Sequence, residues 1–172
     1  MKTEIGLNPK ILNKDMKFDM KVDYSKSLDE MIKAGHYEYG DKIINATNFP
    51  VIKPFGLTED IFCVKALIIQ PSILTGYSCP SFDQVVKSIY TKSYRPANLA
   101  ELFAFGKNNP LFQYQEQILC IGSLWYRNGF FSTDIIAVSL GVRGVSRILN
   151  IHKLDSDFFY HWSYCCVLVV ID

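Results

Sequence analysis

Gln117-Ile118-Leu119-Cys120-Ile121-Gly122-Ser123-Leu124-Trp125-Tyr126, followed by Arg127-Asn128-Gly129 and then Phe130 through Leu140, is the stretch that decides the fold. Both flanks are rich in apolar, aromatic and β-branched residues, and Asn-Gly tolerates the positive φ of a tight reversal. The pattern predicts two antiparallel strands, Gln117–Tyr126 and Phe130–Leu140, joined by a two-residue turn at Asn128-Gly129. Gly141 and Gly144 punctuate the next turn, Val145–His152 supplies a third strand, and Leu154-Asp155-Ser156-Asp157 leads round to His161–Ile171. That last segment is apolar at both parities, which predicts a strand covered on both faces. The C-terminal third therefore reads as an antiparallel β-meander.

Working upstream, Ser27-Leu28-Asp29-Glu30, Ser81-Phe82-Asp83-Gln84 and Asn98-Leu99-Ala100-Glu101 each place a capping side chain three residues before Glu or Gln, the mark of a helix start. Phe82, Val85, Val86 and Ile89 fall on one helical stripe, as do Leu99, Leu102 and Phe103, and Gly106 is placed to end the latter helix. Arg95-Pro96 keeps the two helices apart, because the residue before proline avoids the α region. From Met16 to Tyr24 apolar and charged residues alternate strictly, as in a half-buried strand. Ile61–Gln70 carries one charge and stops at Pro71, as a strand near the middle of the sheet would. The expectation is a single α+β domain over residues 1–172: a mainly antiparallel sheet of five or six strands, two or three short helices, and the helices near 82–92 and 98–105 forming one layer on it.

Composition excludes several functions. Eighteen Lys and Arg stand against seventeen Asp and Glu, interleaved along the whole chain, so no basic face of the kind that neutralises several phosphates is foreseen and nucleic acid is not expected as the partner. No stretch approaches 18 uncharged apolar residues and residues 1–24 contain no signal-like apolar run, so the expected location is the cytoplasm, without membrane contact. Cys63, Cys79, Cys120, Cys165 and Cys166 show neither C-x-x-C nor Cys/His ligand spacing, which predicts reduced core thiols with no metal and no cofactor.

Among candidate sites, His36, His152 and His161 are the histidines. A Ser123, His161 and Asp134 set can be assembled on paper, but no nucleophile-elbow glycines surround the serine. Gly141-Val142-Arg143-Gly144 reads as a β-turn rather than an anion cradle, since no helix start follows it. With twelve Phe, ten Tyr and two Trp the chain is rich in rings, and a cluster of Trp125-Tyr126, Phe130-Phe131 and Phe158-Phe159-Tyr160 exceeds what one sheet face buries. The leading expectation is accordingly a non-enzymatic binding module that meets a protein or small-molecule ligand through Trp125, Arg127, Arg143, Arg147 and His161 on the C-terminal sheet, with a homo-oligomer allowed. The alternative is a small hydrolase or transferase in which Arg95, Glu101 and His161 meet between helix and sheet, although Arg95 and Glu101 are better read as an ion pair and cap at a helix start. A phage or mobile-element modulator of host defence is compatible with the chain's size, with no residue pointing to it.

Tyr94-Arg95-Pro96-Ala97-Asn98-Leu99-Ala100-Glu101-Leu102, with Ile121-Gly122-Ser123-Leu124-Trp125, Val138-Ser139-Leu140-Gly141 and, upstream, Asp23-Tyr24-Ser25-Lys26-Ser27, Gly35-His36-Tyr37 and Asn48-Phe49-Pro50, resembles a group of short uncharacterised bacterial proteins over most of the chain. That resemblance implies no catalytic residue. Arg95-Pro96-Ala97-Asn98 with Glu101-Leu102 also resembles the phrase that opens the second helix of bacterial C-type-lectin-like domains, including the formylglycine-generating type. This sequence lacks the Leu between Arg95 and Pro96, a calcium-site signature and a reactive cysteine pair, so that likeness implies fold alone.

Overall fold

The computed structural model describes residues 16–38, 41–128, 133–154 and 165–171. In chain order these form β1 (Met16–Asp23), α1 (Leu28–Ala34), β2 (Ile61–Ile69), α2 (Pro71–Thr75), α3 (Phe82–Thr91), β3 (Tyr94–Pro96), α4 (Leu99–Asn108), a 3-10 turn at Phe112–Tyr114, β4 (Gln117–Asn128), β5 (Thr133–Arg143), β6 (Ser146–Lys153) and β7 (Cys165–Ile171). The architecture is α+β, with one sheet of seven strands in the order β1-β2-β7-β4-β5-β6 and β3 paired to β7. All pairings are antiparallel except β4 with β7.

The three helix starts form as the local sequence dictates. Ser27, Ser81 and Asn98 each accept from the backbone N–H three residues on, and Glu30, Gln84 and Glu101 reach back to the cap N–H. The alternation in β1 also holds, with Phe18, Met20, Val22 and Tyr24 turned to the core.

Among the described residues there are seven strands rather than five or six and four α-helices rather than two or three, and two further features of the predicted arrangement are corrected. The meander is confined to β4-β5-β6, because β7 leaves β6 and inserts between β2 and β4. That central place explains its double-sided apolar pattern: Cys165 through Val170 are all buried. The helices, in turn, do not share a layer. α1 and α4 pack on one face, where Met20, Val22, Ala66, Leu102, Phe105 and Leu168 meet, while α2 and α3 cover the other through Leu74, Val85, Ile89, Leu67 and Val167. A strand buried on both sides needs a cover on each.

Register corrects the first hairpin. Arg127 pairs with Asp134 and Asn128 with Thr133, so the strands do not close on a two-residue Asn128-Gly129 turn, which would set Arg127 opposite Phe130. Residues 129–132 lie outside the described set. The tight reversal is instead at Gly144-Val145, closed by Arg143 and Ser146, with Gly144 at φ +64°. Gly141 therefore lies inside β5 rather than in the turn. Gly106 does not end α4 but sits within it, at a position where a Cβ would meet the Tyr37 hydroxyl and a Leu140 methyl.

β4 departs most from a regular strand. Between the pairs Cys120 with Val138 and Trp125 with Ile136, four residues of β4 lie opposite the single residue Ala137. This bulge, Ile121–Leu124, swings towards β3. There Gly122 N–H donates to Ala97 O at 3.0 Å, and a Cβ on Gly122 would stand 2.5 Å from that oxygen. Only glycine lets the two backbones approach so closely.

Candidate functional site

The corner where β3 enters α4 gathers most of the chemistry in the described residues. Arg95 donates from both terminal nitrogens to Glu101, at 2.9 Å to Oε2 and 2.6 Å to Oε1. Glu101 Oε2 also accepts from Asn98 N–H at 2.8 Å, and Oε1 from the Tyr24 hydroxyl at 3.0 Å. Asn98 Nδ2 donates to that hydroxyl at 3.1 Å, and the Leu99 N–H donates to Ser123 Oγ in the β4 bulge at 3.0 Å. Glu101 is completely buried. Burial, and then the Glu101 charge, push the Tyr24 phenol far above its ordinary range, so it is a fixed proton donor.

Both carboxylate oxygens are thus engaged twice, by an arginine and by one further donor each. A general base needs a lone pair free to take a proton, and this carboxylate is already spent on its neighbours. Arg95 and Glu101 meet as the ion pair and cap of a helix start, the structural half of the alternative reading. His161 lies outside the described residues.

A cleft of about 450 Å3 opens over this corner, walled by Phe49, Pro50, Ile52 and Pro54 on one side and by the bulge and Tyr126 on the other. A second hollow of about 610 Å3, lined by Phe55, Leu57, Phe62 and Ile171, adjoins it, and Pro54 and Arg95 border both. Ile52, Phe55, Phe62 and Tyr126 around this double cleft are exposed. The sequence pattern alone did not mark residues 49–55 as a cleft wall. The available signal was Pro50-Val51-Ile52-Lys53-Pro54-Phe55, apolar side chains between two prolines that keep the backbone out of the ladders.

The arginines of the C-terminal sheet are not brought together. Arg127 projects at the far end of β4, donating to Asp134 at 2.7 Å, with Lys153 at 2.9 Å on the other oxygen. Arg143 is exposed at the opposite end of β5, beside the reversal. Arg147 turns inward and donates to Gly35 O at 2.6 Å and Gly106 O at 2.5 Å, with its guanidinium 4.8 Å from the centre of the Tyr37 ring. Arg127 and Arg147 lie opposite Asp134 and Val142, eight residues apart on β5, which spaces them by roughly 27 Å at strand rise. Trp125 is half-buried against Phe49. The Arg127 guanidinium lies 6.0 Å from its ring centre.

His152 sits in a network of its own: its Nε2 is 2.8 Å from Ser139 Oγ and 3.0 Å from Gln117 Nε2, which is also 3.0 Å from Ser139 Oγ. Ser139 is fully buried, and the Gln117 amide shares the imidazole nitrogen with it, so this contact ties β4, β5 and β6 together rather than presenting a nucleophile. Burial drives the Cys120 and Cys165 thiols up to about 12 and Cys166 higher still, which makes them inert at neutral pH. Cys63 and Cys79, expected in the core, are instead exposed. Among the described residues no group of three or more His, Cys, Asp or Glu is positioned to hold a metal ion, and no helix is long and apolar enough to cross a membrane.

No family model, curated protein or solved structure matches this chain. The site is therefore read from its own geometry.

Proposed function

We propose that the chain is a non-enzymatic binding module whose working surface is the double cleft around Pro54 and Arg95 and whose ligand is an apolar protein segment. The observation that carries this reading is the grouping of Ile52 (68% exposed), Phe55 (fully exposed), Phe62 (39%) and Tyr126 (60%) around one concavity. Large apolar side chains held in contact with water on a rigid rim mark places where partners bind. The Arg95–Glu101–Tyr24–Asn98 network fixes the base of this concavity. The saturated carboxylate supports the binding reading over the small-enzyme one.

Selection from a random peptide library on the immobilised chain tests this. Enriched sequences rich in apolar residues, whose binding falls at least tenfold in Phe55→Asp and in Ile52→Asp while thermal unfolding is unchanged, are the expected outcome. Absence of enrichment, or binding indifferent to both substitutions, overturns it. Surface substitutions of this kind move stability by less than about 0.5 kcal/mol, so a loss of binding reads on the surface itself.

A further inference from the structure

At the opposite end of the β4-β5-β6 ribbon from Trp125 lies a third concavity of about 460 Å3, between the turn at 112–116 and Asn150 of β6. Its size is in the range that holds small ligands. Among the described residues no Lys or Arg lines it, and its polar groups are amides, the Tyr114 hydroxyl and one carboxyl. Its floor is Gly141. A side chain there would begin 2.8 Å from Asn150 Nδ2 and 3.8 Å from Gln117 Nε2, so the glycine is what leaves these amides room over the floor.

The walls are fixed from behind. Gln113 donates to Gly141 O at 3.1 Å and accepts from Arg147 at 3.3 Å. The Tyr114 hydroxyl donates to Val145 O at 2.7 Å, which sets the angle of a ring left 41% exposed. Gln117 spends its Nε2 on Ser139 and His152, which leaves its oxygen as an acceptor. Asn150 adds donors and an acceptor. Burial pushes the Glu116 carboxyl above its ordinary range.

We infer that this concavity binds a neutral, hydroxyl-rich ligand, a mono- or disaccharide, with Asn150 and Gln117 bonding its hydroxyls and the Tyr114 ring receiving its C–H face. Hydroxyls both donate and accept, which matches a lining of amides that offers both capacities at fixed positions. The aromatic ring supplies the apolar complement to one side of a pyranose. An anion finds no counter-charge among the described lining residues and meets Glu116, so phosphorylated sugars are selected against.

Ligand-detected saturation-transfer NMR with glucose, galactose, N-acetylglucosamine, maltose and cellobiose tests the assignment. At least one of these sugars is expected to bind saturably, and Asn150→Leu to weaken it at least tenfold. The phosphorylated form of the same sugar should bind at least tenfold more weakly than the neutral one, with that gap narrowing in Glu116→Gln. Asn150→Ser, which shortens the side chain without adding apolar bulk, serves if Asn150→Leu does not fold, and the same weakening is required of it. Failure of all five sugars to bind saturably, or binding unchanged by the Asn150 substitutions, overturns the inference. Neither result touches Phe55 or Ile52, so it stands or falls apart from the peptide-binding cleft.

Discussion

α4 is held at each end by an arginine, and the two arginines work in opposite ways. At the helix start the partly exposed Arg95 meets a fully buried carboxylate, Glu101, in a bidentate pair. At the other end Arg147 meets no carboxylate: it collects Gly106 O from α4, Gly35 O from the end of α1, and the face of Tyr37. The helix dipole explains the difference. A cation beside an N-terminus faces like charge and needs an anion between it and the helix, which Glu101 provides while also capping it. A cation beside two C-terminal carbonyls is attracted by both helices directly. One end is thus a charge-neutral lock and the other a cation held by dipoles, and the two should respond differently when cut.

The largest effect is expected at the lock. Glu101→Gln removes the charge that faces the partly exposed Arg95 guanidinium and should destabilise by about 2–4 kcal/mol in denaturant unfolding, whereas Arg95→Met combined with Glu101→Leu should recover most of that loss. If the double variant is no better than the single, the pair does more than neutralise itself. At the other end Arg147→Lys keeps the charge but loses the fork that reaches two carbonyls at once, for an expected cost of about 2–3 kcal/mol. A smaller loss than in Arg147→Met would show that dipole attraction survives without the fork.

A finer comparison is between caps. Ser81→Ala removes an exposed cap from α3 and should cost about 1 kcal/mol. Asn98→Ala removes a cap that also bonds Tyr24 and so should cost more than Ser81→Ala by the same measurement. Equal losses would mean that Tyr24 finds its bond elsewhere.

The smallest effects are electrostatic. Glu116 titrates above its ordinary range in the fold, so its ionised form is disfavoured there, and the penalty is present at neutral pH and disappears as pH falls through the carboxyl range. Glu116→Gln should therefore stabilise slightly at pH 7 and give no advantage in acid. Asp134 behaves in the reverse sense. Its hydrogen bonds from Arg127 and then Lys153 hold the carboxyl below its ordinary range, so Asp134→Asn should lose a little stability at neutral pH and nothing once the native carboxylate would be protonated. Melting temperature followed against pH separates the two signs.

Legibility in the sequence followed the range of the interaction. The three capping boxes and the alternation of β1 were readable because each is settled within a few residues. The double-sided pattern of β7 correctly implied a strand covered twice, but nothing local says that its neighbours are β2 and β4 rather than β6. The bulge in β4 was hidden because Ile121-Gly122-Ser123-Leu124 fits a strand as well as an excursion, and only the approach of Ala97 distinguishes them. The arginines failed as a cluster for a related reason. Parity and distance along the ladder, not nearness in sequence, determine where a strand side chain goes, and Arg147 was additionally drawn inward by carbonyls from two helices. At the β3–α4 corner, the link from Glu101 to Tyr24 spans seventy-seven residues and has no motif to announce it.

The insertion of β7 between β2 and β4 bears on how the molecule is made. During vectorial synthesis the β1–β2 pair and the β4-β5-β6 ribbon can each be emitted and zipped before residues 165–171 leave the ribosome, but until then most of the seam between them has no strand to occupy it. Leu67 and Ile68 on one bank and Ile118 and Leu119 on the other wait with unfilled hydrogen-bonding edges, an arrangement that favours slow closure and exposes the nascent chain to intermolecular pairing.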